Sequence, residues 1–204
     1  MRGGSTPLWS AASASSGCSG ETFDAAMSDR ACRLVTVVGP AGIGKSRLTA
    51  ELCRAVEDDA RVLVGPCLPY GDGITFWPLV RIVGSASAAT TGFAKCLAGA
   101  DDADLIADRV LGAVGPTPTV APGGEMFWAV RRLFEELARE QPLLVVVEDI
   151  HWAEPKLLDL LEYLAGWTDD APILLALPRA SRAARRATRM VELAGTRRAC
   201  CSVR

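Results

Sequence analysis

The chain has 204 residues, 50% of them hydrophobic, and a formal net charge of −2; that is room for one ordinary globular domain with a sizeable core. No apolar run nears the ~20 residues that cross a bilayer, and no compact apolar centre of a secretory signal follows Met1, so a soluble cytoplasmic protein that meets no membrane is expected. Seven cysteines without a CxxC pair and one histidine, His151, exclude the usual zinc spacings and suit free thiols in a reducing compartment.

Residues 1–20 are rich in Ser, Gly and Ala and carry neither helical nor strand periodicity, so they are expected to be poorly ordered. ETFDAAMSDRA, from Glu21, has the pattern of a short helix, and LVTVV (Leu34–Val38) is a continuous β-branched run of the kind found in buried parallel strands. GPAGIGKS (39–46) follows, and then a helix in which Leu48, Leu52 and Val56 share one face. RVLVG (Arg61–Gly65) is a second strand; the loop PCLPYGDG leads to a helix starting near Thr75, and residues 85–114 form a Gly/Ala/Asp-rich helical stretch.

GPTPTVAPGG is a flexible connection to EMFWAVRRLFEELARE, which places Phe127, Val130, Phe134 and Leu137 on one face and the pairs Arg131–Glu135 and Glu135–Arg139 outside it. LLVVVED (Leu143–Asp149) is a third buried strand ending in two acids. Pro155 stands where a first helical residue would, and the apolar stripe of KLLDLLEYLAG is expected to stop at Gly166. ILLAL (Ile173–Leu177) is the fourth strand, and no strand pattern follows it. Repeated strand–helix units give an α/β fold, a three-layer sandwich around a mostly parallel sheet. The tail from Pro178 holds eight arginines and one acid, Glu192, for a charge of +7, so residues 1–177 carry −9 of the total.

GPAGIGKS fits G-x-x-x-x-G-K-[ST], a phosphate-binding loop. Its glycines let the backbone curl so that amides from about Gly42 through Ile43 and Gly44 to Ser46 face a phosphate chain, and the helix start adds its positive end. In that reading Lys45 reaches the terminal phosphates of ATP, Ser46 ligates Mg²⁺, and Gly39 and Arg47 flank the cradle. Glu148 and Asp149 end a neighbouring strand, where one carboxylate holds Mg²⁺ and the other polarises the attacking water; the sequence leaves open which does which. His151 reads first as a hydrogen-bonded structural residue, with orientation of the water or sensing of the γ-phosphate as its functional alternatives. Trp152, Phe76 and Trp77 read as packing residues. Arg179, just past the fourth strand, is placed to contact the γ-phosphate; a nucleic-acid role for the tail arginines lacks interleaved aromatics or a recognition helix.

VTVVGPAGIGKSRL, RVLVGPCLPYGDGITFWPL, FWAVRRLFEELARE and LLVVVEDIHWAEPKLLDLLEYLA together resemble the AAA-like ATPase module of the STAND class, over residues 21–177. That module belongs to large bacterial regulators, fused to adenylate/guanylate cyclase domains, LuxR-type DNA-binding domains or helical repeats. The resemblance implies an ATP-dependent signalling switch acting on an attached effector domain. It carries Gly39, Gly44, Lys45 and Ser46 onto the phosphate loop, Glu148 and Asp149 onto the acidic pair, and Arg179 onto an arginine after the fourth strand.

The chain departs from the family at both ends. WSAASASSGCSG stands where members have a segment that helps enclose adenine, and the Arg-rich tail 178–204 stands where they continue with a fifth strand and a helical lid. Both stretches have the composition of G+C-rich coding sequence read in a shifted frame, which sets the expectation of frameshifted or mis-assigned ends. On this reading the fold is truncated, with four of five core strands and no lid, and LVTVV lies at an exposed sheet edge. A remnant that binds nucleotide without turning it over is the alternative function, and a small-molecule kinase is a further one.

Overall fold

A computed structural model describes residues 13–69, 75–90, 92–115, 123–180 and 198–202. Five strands form one sheet in the order β2-β3-β4-β1-β5, and every pairing is parallel. They are β1 (Cys32–Gly39), β2 (Arg61–Pro66), β3 (Leu143–Glu148), β4 (Ile173–Ala180) and β5 (Arg198–Ser202). The helices are α1 (Ser13–Asp29), α2 (Lys45–Val56), α3 (Trp77–Ala89), α4 (Ala103–Val114), α5 (Gly123–Glu140) and α6 (Pro155–Trp167). The fold is therefore α/β, as the alternation of apolar runs and amphipathic segments requires.

Strand side chains alternate between the faces, and each face buries its own cluster. Leu143, Val145 and Val147 of β3 join Ile173, Leu175 and Leu177 of β4 in the larger cluster, against α3 to α6. Leu144 and Val146, with Leu174 and Ala176, meet Phe23 of α1 and Leu52 and Val56 of α2 on the other face. From Leu143 to Val147 and from Ile173 to Leu177 these strands are apolar on both sides, which is why they read as unbroken runs. Val130, Phe134 and Leu137 of α5 are buried as its periodicity requires, while Phe127 is half-buried against Tyr163, ring centroids 5.7 Å apart.

Several expectations are corrected. Helix α1 begins at Ser13, inside the stretch expected to be poorly ordered, and the helix expected near Thr75 starts at Trp77. The chain continues in helix through Gly166 to Trp167, so this glycine is no stop. Arg131 pairs with Glu135 at 2.7 Å as expected, but Arg139 turns to the buried carboxylate of Glu136, at 3.1 Å, which Arg132 also approaches, at 3.5 Å.

The largest correction concerns the sheet. Strand β4 runs on through Pro178 and Arg179 to Ala180, and β5 pairs with β1 from Leu34↔Arg198 to Val38↔Ser202. The sheet has five strands rather than four, and β1 lies inside it, between β4 and β5. Backbone ladders explain this: strand pairing uses N–H and C=O groups that any non-proline residue supplies, so RACCS pairs without an apolar run to announce it.

Candidate functional site

The turn after β1 is built on backbone conformations that favour glycine. Gly42 has φ 79° and Gly44 φ 101°, and a Cβ at either would meet nothing within 4 Å. Conformation, not space, demands glycine there. Gly44 caps α2 without a side-chain bond to the first turn, so the early amides of α2 point outward unclaimed by a capping side chain. Lys45 folds back over the turn: its Nζ donates to the carbonyls of Gly39, at 3.1 Å, and Pro40, at 2.8 Å. Thr49 Oγ1 donates to the Lys45 carbonyl at 3.0 Å, which fastens the first turn. Ile43, Ser46 and Arg47 are exposed, and Arg47 Nε donates to Glu51 along the helix at 2.9 Å.

The other candidate residues lie at the same end of the parallel sheet. Arg179 on β4 is in register with Val38, the residue before Gly39. It is 9% exposed, and its Nε meets no hydrogen-bond acceptor among the described residues. A buried guanidinium with an open donor is costly unless something anionic comes to it. Arg179 is thus a strand residue and not, as expected, one just past the strand.

Glu148 and Asp149 lie across β4 from the glycine turn, at the end of β3. Strand alternation puts Glu148 on the face of Leu144 and Val146, the face that α2 covers. The thiol of Cys53 on α2 feels it: burial pushes that pKa up, and the Glu148 charge adds to the rise. Asp149 breaks the alternation, because its backbone is left-handed, at φ 52°. It opens the short 3₁₀ turn Ile150–Trp152, whose Trp152 N–H donates to the Asp149 carbonyl at 2.8 Å. Its carboxylate, 65% exposed, raises the Cys67 thiol after burial has done most of that work, to about 12 in all. The two acids therefore meet different neighbours, Glu148 the Cys53 thiol and Asp149 the Cys67 thiol.

His151 lacks the partner expected of a structural histidine: Nδ1 is buried and unbonded among the described residues, 3.9 Å from Asp149 Oδ1. Trp152 is 51% exposed, which corrects its reading as a packing residue, and its ring lies 5.1 Å from that of His151. Phe76 packs against the larger core. Thr75 donates to the carboxylate of Glu154 and so ties the chain before α3 to the start of α6.

Among the described residues no three His, Cys, Asp or Glu side chains gather as a metal site, and no helix is long and apolar enough to cross a membrane. The donor set still suits Mg²⁺, which binds through one or two protein oxygens and completes its shell with water and substrate phosphates.

Residues 21–176 match the family model of the AAA ATPase domain, and the chain belongs to that family of P-loop, nucleotide-binding domains. Over 160 residues it is 31% identical to uncharacterized protein R02095 of Rhizobium meliloti (strain 1021), a match covering 70% of this chain and 16% of that relative. The match thus spans 16% of that relative's length. Among solved structures, Drosophila ORC bound to GC-rich DNA and Cdc6 is similar with a TM-score of 0.47 at 13% identity, over 93% of this chain and 58% of that one. Drosophila ORC bound to AT-rich DNA and Cdc6 is similar with a TM-score of 0.41 at 15% identity, over 82% and 50%.

Proposed function

We propose that the chain is a regulatory ATPase module that binds Mg²⁺-ATP on Gly39–Ser46 and passes its nucleotide state to effector domains of a larger protein. The observation that carries this reading is the turn itself, in which left-handed Gly42 and Gly44 leave the α2 amides open while Lys45 rests on two carbonyls. Lys45 exchanges those carbonyls for β- and γ-phosphate oxygens, and the amides of Gly42, Gly44 and Ser46, joined by that of Ile43 once it leaves the Pro40 carbonyl 3.4 Å away, take the remaining phosphate charge. Arg179 supplies its unfilled donor to the terminal phosphate. The 16% coverage of the longer relative supports attachment to further domains.

The two acids divide the labour. Glu148, on the α2 face, acts with the Ser46 hydroxyl at the start of α2 as the Mg²⁺ ligand, directly or through water. Asp149, exposed and on its own turn, accepts the proton of the attacking water. Mg²⁺ held there would supply positive charge against the charge developing on the phosphates.

A thermal-shift titration with Mg²⁺-ATP on the wild type and Lys45→Ala tests the reading. Ligand at about 100 times its dissociation constant stabilises the wild type by about 2.7 kcal/mol, while Lys45→Ala shows little response. Equal, negligible shifts in both would remove the binding claim. Phosphate release by the wild type and a Glu148→Ala/Asp149→Ala variant then separates hydrolysis from binding alone.

A further inference from the structure

We infer that His151 is the positioning residue for Asp149: its imidazole carries the proton on Nδ1 and aims it at the Asp149 carboxylate, holding that acid toward the nucleotide. For its effect on rate the inference rests on the function proposed above; for the contact itself it does not.

Three observations converge on it. Of the two ring nitrogens only Nδ1 is both enclosed and without a hydrogen-bond partner among the described residues. A buried polar atom left so is destabilising, which is unexplained if the ring merely fills space. The nearest carboxylate oxygen is Asp149 Oδ1, at 3.9 Å, outside hydrogen-bond range but about 1 Å from it. Asp149 is the more exposed of the two, 65% against 19% for His151, so the acid has room to rotate and close the gap.

The backbone prepares this approach. Left-handed Asp149 starts the 3₁₀ turn, and the bond from Trp152 N–H to the Asp149 carbonyl, 2.8 Å, fixes residue 151 relative to residue 149. The Trp152 ring lies beside the imidazole with the planes at 41°, which limits its rotation. A bare Nδ1 lone pair facing a carboxylate is repelled, whereas Nδ1–H facing it is attracted, so Asp149 selects the tautomer. Without this donor an exposed carboxylate on a short turn samples many rotamers, and few of them bring it to the water it must polarise. The bond needs no change in the charge of either group.

The chain has a single histidine, so the ¹⁵N signals of a histidine-labelled, tag-free protein report His151 alone. Spectra are taken at a pH about two units above the ordinary histidine range near ~6.5, on wild type, Asp149→Ala and Lys45→Ala, without nucleotide and with Mg²⁺-ADP. The expected result is an Nδ1–H tautomer that dominates in the wild type and in Lys45→Ala and gives way to Nε2–H in Asp149→Ala. Equal tautomer populations in wild type and Asp149→Ala would overturn the inference, whether or not the protein binds nucleotide.

Kinetics give the second arm. Asn places its amide where Nδ1 stands, so His151→Asn keeps most of the phosphate-release rate, whereas His151→Phe lowers kcat about 10- to 100-fold at unchanged KM, a range typical of losing a group that orients an active one. Equal losses in Asn and Phe, or a change in KM alone, count against it. A wild type that binds Mg²⁺-ATP with no phosphate release sinks the hydrolytic reading and leaves the tautomer comparison to decide the contact.

Discussion

Gly65 of β2 and Pro78 of α3 meet backbone to backbone: a Cβ at position 65 would stand 2.4 Å from the Pro78 carbonyl oxygen and 2.9 Å from its carbonyl carbon and Cα. None of these atoms belongs to a flexible side chain that could swing aside, so Gly65→Ala must push α3 off the sheet at a cost of about 1–3 kcal/mol. Gly84, on the exposed side of α3, has nothing within 4 Å of its own Cβ position, and Gly84→Ala should stabilise by up to about 1 kcal/mol. Chemical denaturation of both variants checks the pair; equal effects would mean that the close approach does not restrain α3.

At Gly42 and Gly44 the penalty has a different origin. Both have positive φ and open space around them, so alanine there clashes with nothing and pays only the left-handed strain, about 1–2 kcal/mol. The prediction is a melting temperature lower by a few degrees, at about 2–4 °C per kcal/mol for a chain of this size, together with a much weakened response to Mg²⁺-ATP as the turn relaxes. Gly44→Ala with a full nucleotide shift would show that the curled turn is not what receives the phosphates.

Cys67 links the site to alkaline stability. Burial and the Asp149 charge raise its pKa from 9.0 to about 12, so the folded chain holds the thiol proton that the unfolded chain releases. The contribution is therefore complete below about pH 9 and is lost as pH rises toward about 12, at a limiting slope of about 1.4 kcal/mol per pH unit. Denaturation of wild type and Cys67→Ala at a series of pH values from ~8 to ~11 should show a steeper alkaline fall in the wild type. Parallel curves would mean that Cys67 ionises as readily in the folded chain as in the unfolded one.

The sequence made the core legible wherever a side-chain pattern does the folding. LVTVV, LLVVVED and ILLAL are apolar on both faces because helices cover both faces, and α5 shows its stripe because one side of it is wet. What it concealed was decided by the backbone or by neighbours far along the chain. β5 is held by a ladder to β1, with register Thr36↔Cys200, and RACCS has no periodicity to disclose that. Gly166 looks like a helix stop, yet the helix continues to Trp167, whose carbonyl takes a bond from Arg131 of α5 at 3.3 Å. The site was legible by residue type and spacing, but the turn at Asp149 was not. An aspartate with φ 52° carries no mark in the sequence, and from that turn follows the approach of His151 to Asp149.

Arg179 allows stability and function to be pulled in opposite directions. Its side chain is buried on β4 beside Val38, and the Nε donor is unfilled among the described residues. A buried guanidinium with an unfilled Nε donor carries a desolvation cost that is not fully offset, so Arg179→Met, similar in length and apolar, should leave the nucleotide-free protein as stable as the wild type or stabilise it by about 1–4 kcal/mol. The same change removes the donor assigned to the terminal phosphate, so the extra stabilisation by Mg²⁺-ATP over Mg²⁺-ADP should shrink toward zero. Melting curves of both proteins without ligand and with each nucleotide measure the two effects at once. A lower melting temperature without ligand, with the ATP-over-ADP difference intact, would assign Arg179 to the packing of β4 and take it out of the site.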